Sequence, residues 1–201
     1  MIKAIIFDLW ETLGTKNIGI SKSLQEKFQI QKTEEFMERY ESSVQLKDWN
    51  SEKEMALNFL KEFGIESTDK NIEFVVNLFN QGIDNATMFG GMKDLLLELK
   101  KSYKIGFISN TTVFESVILE KWEIKDIFDA TSFSWNLGIK KPTKEIFDIT
   151  LEKLGIKPEE AVFIDDSEKN IIKAGEYGIN TILFKSVDDL KNELSTREIL
   201  I

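Results

Sequence analysis

Ile5-Ile6-Phe7-Asp8-Leu9-Trp10-Glu11-Thr12 is an apolar run that stops on a carboxylate, and the rest of the chain is read outward from it. The segment from Lys3 to Phe7 is short, β-favouring and apolar on both faces, which predicts a buried parallel strand ending at a polar loop. Asp8 then falls at the carboxyl end of that strand, where ligands of open α/β sheets gather at the topological switch point. Alone, such an aspartate is equally an ordinary loop residue or a helix cap. Its meaning comes from three later stations, each placed after an apolar run or beside a predicted helix start: Ser109 after Ile105-Gly106-Phe107-Ile108, Lys141 within Gly138-Ile139-Lys140-Lys141-Pro142-Thr143, and Asp165-Asp166 after Val162-Phe163-Ile164. A carboxylate nucleophile, a hydroxyl, a cation and a second acidic group are the parts needed to transfer a phosphoryl group through an aspartyl-phosphate.

Between these runs lie amphipathic stretches that predict helices over Met92 to Lys101, Val113 to Trp122, Lys144 to Leu154, Glu168 to Tyr177 and Val187 to Leu194. Further strands are expected at Ala130 to Phe133 and Thr181 to Phe184. The alternation predicts a doubly wound, Rossmann-like parallel α/β sheet. Residues 15–88 break the pattern, with helical periods over Leu24 to Ile30, Phe36 to Leu46, Met55 to Phe63 and Ile72 to Phe79 and no convincing strand. Ser51 and Glu54 form a capping-box signature for the third of these. The expected organisation is a core of residues 1–14 and 89–201 with a helical layer, 15–88, inserted after the first strand. Gly90-Gly91 and the stretch around Gly14 are the expected hinges.

At 201 residues the chain can bury one core domain and a small satellite. It has no cysteine and no histidine, which removes disulfides, thiolate nucleophiles, the usual zinc sites and histidine acid–base chemistry. Catalysis is left to carboxylates, hydroxyls, lysines or a hard oxygen-bound metal such as Mg²⁺. A net charge of −9 argues against a nucleic-acid partner. No apolar run reaches membrane-spanning length and no signal-peptide pattern precedes the first strand, so a cytoplasmic monomer or dimer with no membrane association is expected. Only Arg39 and Arg197 could bind an anion through a guanidinium.

In order and context the four stations resemble the haloacid dehalogenase-like (HAD) hydrolase superfamily. The resemblance covers nearly the whole chain, and it implies that block 15–88 is a cap closing over the active site. It also implies a small phosphorylated substrate, Asp8 as nucleophile, Ser109 with Asn110 beside it at the substrate's anionic group, and Lys141 as the charge-offsetting cation. Thr12 is expected to donate to the same anion or to hold its loop. Mg²⁺ would bind Asp8, the main-chain carbonyl of Trp10 and the pair Asp165-Asp166, with Asp166 the more direct ligand and Asn170 supporting it. For Lys140 a solvated surface position is expected. Lys141 is favoured partly because Pro142 is expected to begin a helix.

The chain departs from the family's phosphatases at Trp10, which stands where they carry a second aspartate. That aspartate protonates the leaving group and later activates water; an indole does neither, and losing such a group typically costs about 10²- to 10⁴-fold in rate. Glu11 lies next door, in a slot where the family often has glycine. Two alternatives stay open. A 2-haloacid dehalogenase-like hydrolase also carries an aromatic residue here, and Arg39 falls near where those enzymes bind a carboxylate, although Phe147 replaces their tyrosine. A module that binds metal or phosphate without useful turnover is the other. Tyr40, Gln45 and Trp49 join Arg39 as candidate cap contacts.

Overall fold

Residues apolar on both faces need helices on both sides of a sheet, and the chain supplies them. The computed structural model describes residues 1–31 and 33–199; Lys32 in the helical block and Leu200 and Ile201 at the end of the expected core segment lie outside the described residues. In chain order the elements are β1 (Ala4–Phe7), β2 (Gly14–Thr15), α1 (Ile20–Phe28), α2 (Glu34–Val44), α3 (Glu52–Glu62), α4 (Asp69–Asp84), β3 (Thr87–Met88), α5 (Met92–Lys100), β4 (Lys104–Ser109), α6 (Ile118–Lys121), β5 (Ala130–Phe133), α7 (Ser134–Leu137), α8 (Lys144–Leu154), β6 (Ala161–Asp165), α9 (Glu168–Glu176), β7 (Asn180–Leu183) and α10 (Val187–Thr196).

Strands β5, β4, β1, β6 and β7 form one parallel sheet in that order, with β1 at its centre. The expected α/β fold is therefore present. Along β1, Ile5 and Phe7 enter one apolar cluster with Leu95, Leu99, Leu190 and Leu194 of α5 and α10. Ala4 and Ile6 enter another with Ile146, Phe147, Leu151 and Ala174 of α8 and α9. This two-sided burial is why the strand reads as a continuous apolar run rather than an alternation.

Helices α1 to α4 carry a third apolar cluster, which includes Leu24, Phe36, Val44, Phe59, Leu60 and Phe79. Their starts follow capping chemistry: Thr33, Ser51 and Thr68 accept hydrogen bonds from the backbone N–H groups of Phe36, Glu54 and Asn71. The predicted box at Ser51 is half realised, because the Glu54 carboxylate turns back to the Asn50 backbone instead of that of Ser51.

Three local expectations are corrected. Block 15–88 is not free of strand: β2 and β3 pair antiparallel, Gly14 with Met88 and Thr15 with Thr87. Two-residue strands carry no sequence periodicity, so only the pairing reveals them. Gly14 also permits a close approach, since a Cβ there would lie 2.4 Å from the Thr87 carbonyl oxygen and 2.5 Å from the Trp122 ring. The predicted helix over Val113 to Trp122 is a 3-10 turn, Phe114–Val117, followed by the short α6. Pro142 does not open α8, which starts at Lys144 behind the N-cap Thr143.

Candidate active site

The carboxyl ends of β1, β4 and β6 and the loop before α8 deliver their polar residues to one cleft beneath α1 and α2. Asp8 is 7% exposed, and its Oδ1 accepts a hydrogen bond from Lys141 Nζ at 2.5 Å. The same ammonium donates to Asp165 Oδ2 at 2.7 Å. Asp165 is fully buried and also accepts from the Ser167 backbone N–H and the Asn170 amide. Asp166 lines the cleft with its side chain outward from that network. Carboxylate oxygens of Asp8, Asp165 and Asp166 all lie within 4.8 Å of one another.

Three carboxylates around one buried ammonium leave surplus negative charge. Burial pushes Asp8 up to about 7, with Lys141 pulling against it and Asp165 and Asp166 adding to it. Desolvation in the cleft and then Asp165 push Asp166 up to about 6. Burial works against the Lys141 ammonium, but Asp165 and Asp8 outweigh it and hold its pKa above the usual lysine value. A cluster of hard oxygen donors with unspent negative charge suits a divalent cation that prefers carboxylates and water.

The raised values give a testable slope. In metal-free solution, between about pH 4 and about pH 7, folded Asp8 and Asp166 hold protons that the unfolded chain releases, so unfolding free energy falls as pH rises. For Asp8 the raise from 3.8 to about 7 corresponds to about 4 kcal/mol across that window. Glu54, Glu115 and Glu160, held below their ordinary values, act only at lower pH. Urea unfolding in EDTA is expected to show lower stability at pH 8 than at pH 5, with most of the difference removed by Asp8→Asn. A stability that climbs over this range in the wild type would contradict the burial argument.

The remaining predicted residues divide. Asn110 lines the cleft, but its amide is occupied at both ends by the Lys141 backbone, so it fixes the lysine loop. Thr12 and Ser109 are fully buried and do not line the cavity, and their hydroxyls have no partner among the described residues. Arg39 is not at the site: it is exposed, donates to the Glu62 carbonyl and lies 4.7 Å over the Phe63 ring. Its place on α2 turns it toward α3, away from the cleft. Phe147 is buried against Phe163 and Tyr177. Of the two features that suggested a dehalogenase, Arg39 thus lies outside the cavity and Trp10 lines it. Of the cap candidates Tyr40 and Gln45 line it, whereas Trp49 donates to the Val44 carbonyl elsewhere.

Trp10 lines the cleft edge. Its ring stands edge-on to Trp122 at 6.0 Å, and its Nε1 donates to Thr111 Oγ1. Glu11 adopts φ 60°, which explains why glycine suits this slot, and its carboxylate is engaged by the Thr15 hydroxyl at 2.7 Å.

Sequence reasoning missed Lys16 and Glu115. Lys16 Nζ sits 4.5 Å from the centre of the Trp10 ring and pairs with Glu115, which is fully buried. Glu115 also accepts from Thr111 Oγ1, the Thr112 backbone and Thr112 Oγ1. Thr112 and Glu115 have the spacing of a capping box, a signal that could have marked the glutamate; nothing marked the lysine. Lys140 is corrected: it is 8% exposed, not solvated, and bridges to Glu38 at 3.0 Å and Glu41 at 2.9 Å on α2. Lys16→Met strands a buried carboxylate and is expected to lower unfolding free energy by about 3–5 kcal/mol. The double change Lys16→Met with Glu115→Gln should regain part of that loss. A single variant as stable as wild type in urea would show that the pair contributes nothing.

A parallel α/β sheet thus gathers a buried aspartate and a carboxylate pair at its strand ends, with a lysine from the loop before α8, under a layer of helices. The chain belongs to the haloacid dehalogenase-like hydrolase family, whose model matches residues 2–178. It is similar to a D-ribitol-5-phosphate phosphatase of Bacteroides thetaiotaomicron, 32% identical over 109 residues that cover 51% of this chain and 53% of that protein. It is also similar to flavin mononucleotide hydrolase 1 of Arabidopsis thaliana, 28% identical over 145 residues covering 72% and 56%. The chain thus spans about half the length of these curated relatives. Among solved structures, a HAD family enzyme of Bacteroides thetaiotaomicron, an Asp-to-Ala variant in complex with magnesium and inorganic phosphate, superposes with TM-score 0.66. That match is 26% identical and covers 96% of this chain and 99% of the other. Among the described residues no helix is long and apolar enough to cross a membrane.

Proposed function

We propose that the chain is a phosphatase that hydrolyses a small phosphomonoester through an aspartyl-phosphate on Asp8. The observation that carries this reading is the buried Asp8–Lys141–Asp165 chain at the strand ends, lining a cavity of about 450 Å³. The relatives' names and the neighbour's magnesium and phosphate support it. Residues 15–88 are proposed as the cap and 1–14 with 89–201 as the core. The separate apolar cluster of α1 to α4 and the paired β2 and β3 at the crossing support that division.

In the first half-reaction an Asp8 carboxylate oxygen attacks phosphorus while the bond to the alcohol oxygen breaks, and that oxygen leaves with the electron pair. Lys141 favours the ionised Asp8 and offsets charge on the phosphoryl oxygens. Ser109 and Thr12, whose hydroxyls lie behind the cavity wall without a partner among the described residues, are proposed to donate to those oxygens once their side chains turn toward the cavity. Water then attacks phosphorus as the bond to the Asp8 oxygen breaks, releasing inorganic phosphate and restoring the carboxylate; solvent takes the proton that water gives up and supplies the one that the departing alkoxide gains. Asp8, Asp166 and the Trp10 carbonyl are proposed to hold Mg²⁺, with Asp165 kept in place behind them by Asn170 and Ser167. When bound, the ion supplies positive charge against the phosphoryl oxygens. Trp10 has no proton to give the departing alcohol, so good leaving groups are expected to react best.

Turnover of nitrophenyl phosphate with Mg²⁺ and with EDTA tests the reading, and Asp166→Asn is expected to raise the Mg²⁺ concentration needed for half-maximal rate. Absence of phosphate release under both conditions would favour a binding module; halide release from a 2-haloacid would favour the dehalogenase.

A further inference from the structure

An in-line displacement puts the departing oxygen on the far side of phosphorus from the nucleophile. Asp8 lies on the floor of the cavity, at the carboxyl end of β1, so that oxygen faces the roof made by α1 and α2. Among the described residues of these two helices that line the cavity, only Ser21 and Tyr40 carry a hydroxyl. Ser21 is shared with a second groove beside Gln25 and Ile30. Tyr40 is 5% exposed, and its ring is packed in the apolar cluster of the four helices, stacked on Phe36 at 6.0 Å and edge-on to Phe59 at 6.5 Å. Its hydroxyl has no hydrogen-bond partner among the described residues, yet its oxygen, unlike Ser109 Oγ and Thr12 Oγ1, is not sealed from solvent. The ring is held, and the phenol oxygen is the end left open at the cavity that Tyr40 lines.

Two of the three cations that line the cavity are already engaged, Lys16 by buried Glu115 and Lys141 by Asp8 and Asp165. The third, Lys169, stands in the first turn of α9, three residues after Asp166, and so belongs to the floor. Trp10 gives its N–H to Thr111. On the roof, Glu41 adds a carboxylate that Lys140 engages. Burial, and then the nearby Glu115 and Glu41, hold the Tyr40 phenol well above its ordinary pKa, so it keeps its proton and acts as a donor. A donor fixed in the wall of a cavity acts most strongly on an oxygen that acquires charge during the reaction. In the bound ester the bridging oxygen is a weak acceptor; in the transition state it is becoming an alkoxide.

We propose that Tyr40 is a catalytic residue: its hydroxyl donates a hydrogen bond to the departing alcohol oxygen as the bond between that oxygen and phosphorus breaks. This rests on the phosphatase reading. The O–H bond of Tyr40 stays intact, the electron pair of the breaking bond stays on the departing oxygen, and the alkoxide takes its proton from solvent. Because the contact strengthens as charge develops, it acts on kcat more than on KM. It matters most for leaving groups that hold negative charge poorly, the ones that Trp10 leaves without an acid.

The test measures kcat and KM in Mg²⁺ for 4-nitrophenyl phosphate, phenyl phosphate and benzyl phosphate, in order of worsening leaving group. It is run on the wild type and on Tyr40→Phe, which removes one oxygen and keeps the ring against Phe36 and Phe59. Tyr40→Phe is expected to lower kcat for benzyl phosphate by about 10- to 100-fold, the scale of a hydrogen bond to a charged group. For 4-nitrophenyl phosphate the loss should stay under about 3-fold, with phenyl phosphate between them and KM little changed. A structural role would lower all three alike, so an equal loss, no loss, or a loss confined to KM in a folded variant overturns the proposal. Should Tyr40→Phe not fold, the wild type decides. A leaving-group dependence as steep as that of the same esters in Mg²⁺ solution without protein overturns the proposal, and a shallower one supports it. Phosphate release with equal losses removes Tyr40 alone from the mechanism, whereas absence of release from every ester overturns the phosphatase reading and the role of Tyr40 with it.

Discussion

Asp8→Asn is expected to lower turnover of nitrophenyl phosphate by about 10⁴-fold or more, the scale on which removal of a covalent nucleophile acts. An amide has no carboxylate oxygen to form the acyl phosphate, whatever the rest of the site does. The structure makes this a clean experiment. Lys141 keeps Asp165 as a partner at 2.7 Å when the charge on Asp8 is removed, and the asparagine side chain still offers Lys141 an acceptor. Above pH 7 the variant also escapes the penalty of ionising a buried carboxyl, so it should be folded and at least as stable as the wild type without metal. Steady-state rates and urea unfolding, run on the same preparation, separate chemistry from folding. Undiminished turnover in a folded Asp8→Asn protein would remove Asp8 from the mechanism and the aspartyl-phosphate with it.

Trp10→Asp is expected to raise kcat/KM for alkyl phosphates by about 10²- to 10⁴-fold, the range a positioned acid–base group supplies. Nitrophenyl phosphate, whose leaving group needs no proton, should change by less than about tenfold. The substitution has a structural cost. The indole stands against Trp122 and beneath the Lys16 ammonium, and truncating a buried aromatic residue costs about 3–5 kcal/mol, less here because the ring is half-buried. Circular dichroism and urea unfolding must therefore accompany the kinetics. Equal gains on both substrate types would mean that the ring obstructs the site. No gain on either, in a folded variant, would mean that the missing acid is not what limits this chain.

How much of this was legible beforehand depended on the kind of residue. The strand ends carrying Asp8, Ser109 and Asp165-Asp166 were legible because buried parallel strands are short apolar runs, and their polar terminators stand out against them. The helices α1 to α4 were legible by period and by caps such as Ser51. The 3-10 turn at Phe114–Val117 was not, because its residues have the composition of the amphipathic helix expected there. Nor were β2 and β3, since strands of two residues have no period to detect.

The identities of residues were enough to determine a parallel α/β sheet with a helical insertion and a chemistry restricted to carboxylates, hydroxyls and lysine. Those follow from local patterns and composition, which the chain carries before it folds. Tertiary structure alone decided that Lys140 is a buried strut to α2 rather than a surface charge, that Arg39 serves α3 rather than the cleft, and that Lys16 meets Glu115 across 99 positions of sequence. It also left Gln45 Oε1 buried without a donor among the described residues. The physical reason is that long polar side chains take their roles from whichever charges and acceptors packing brings within reach, and those partners lie on other elements with no fixed sequence spacing.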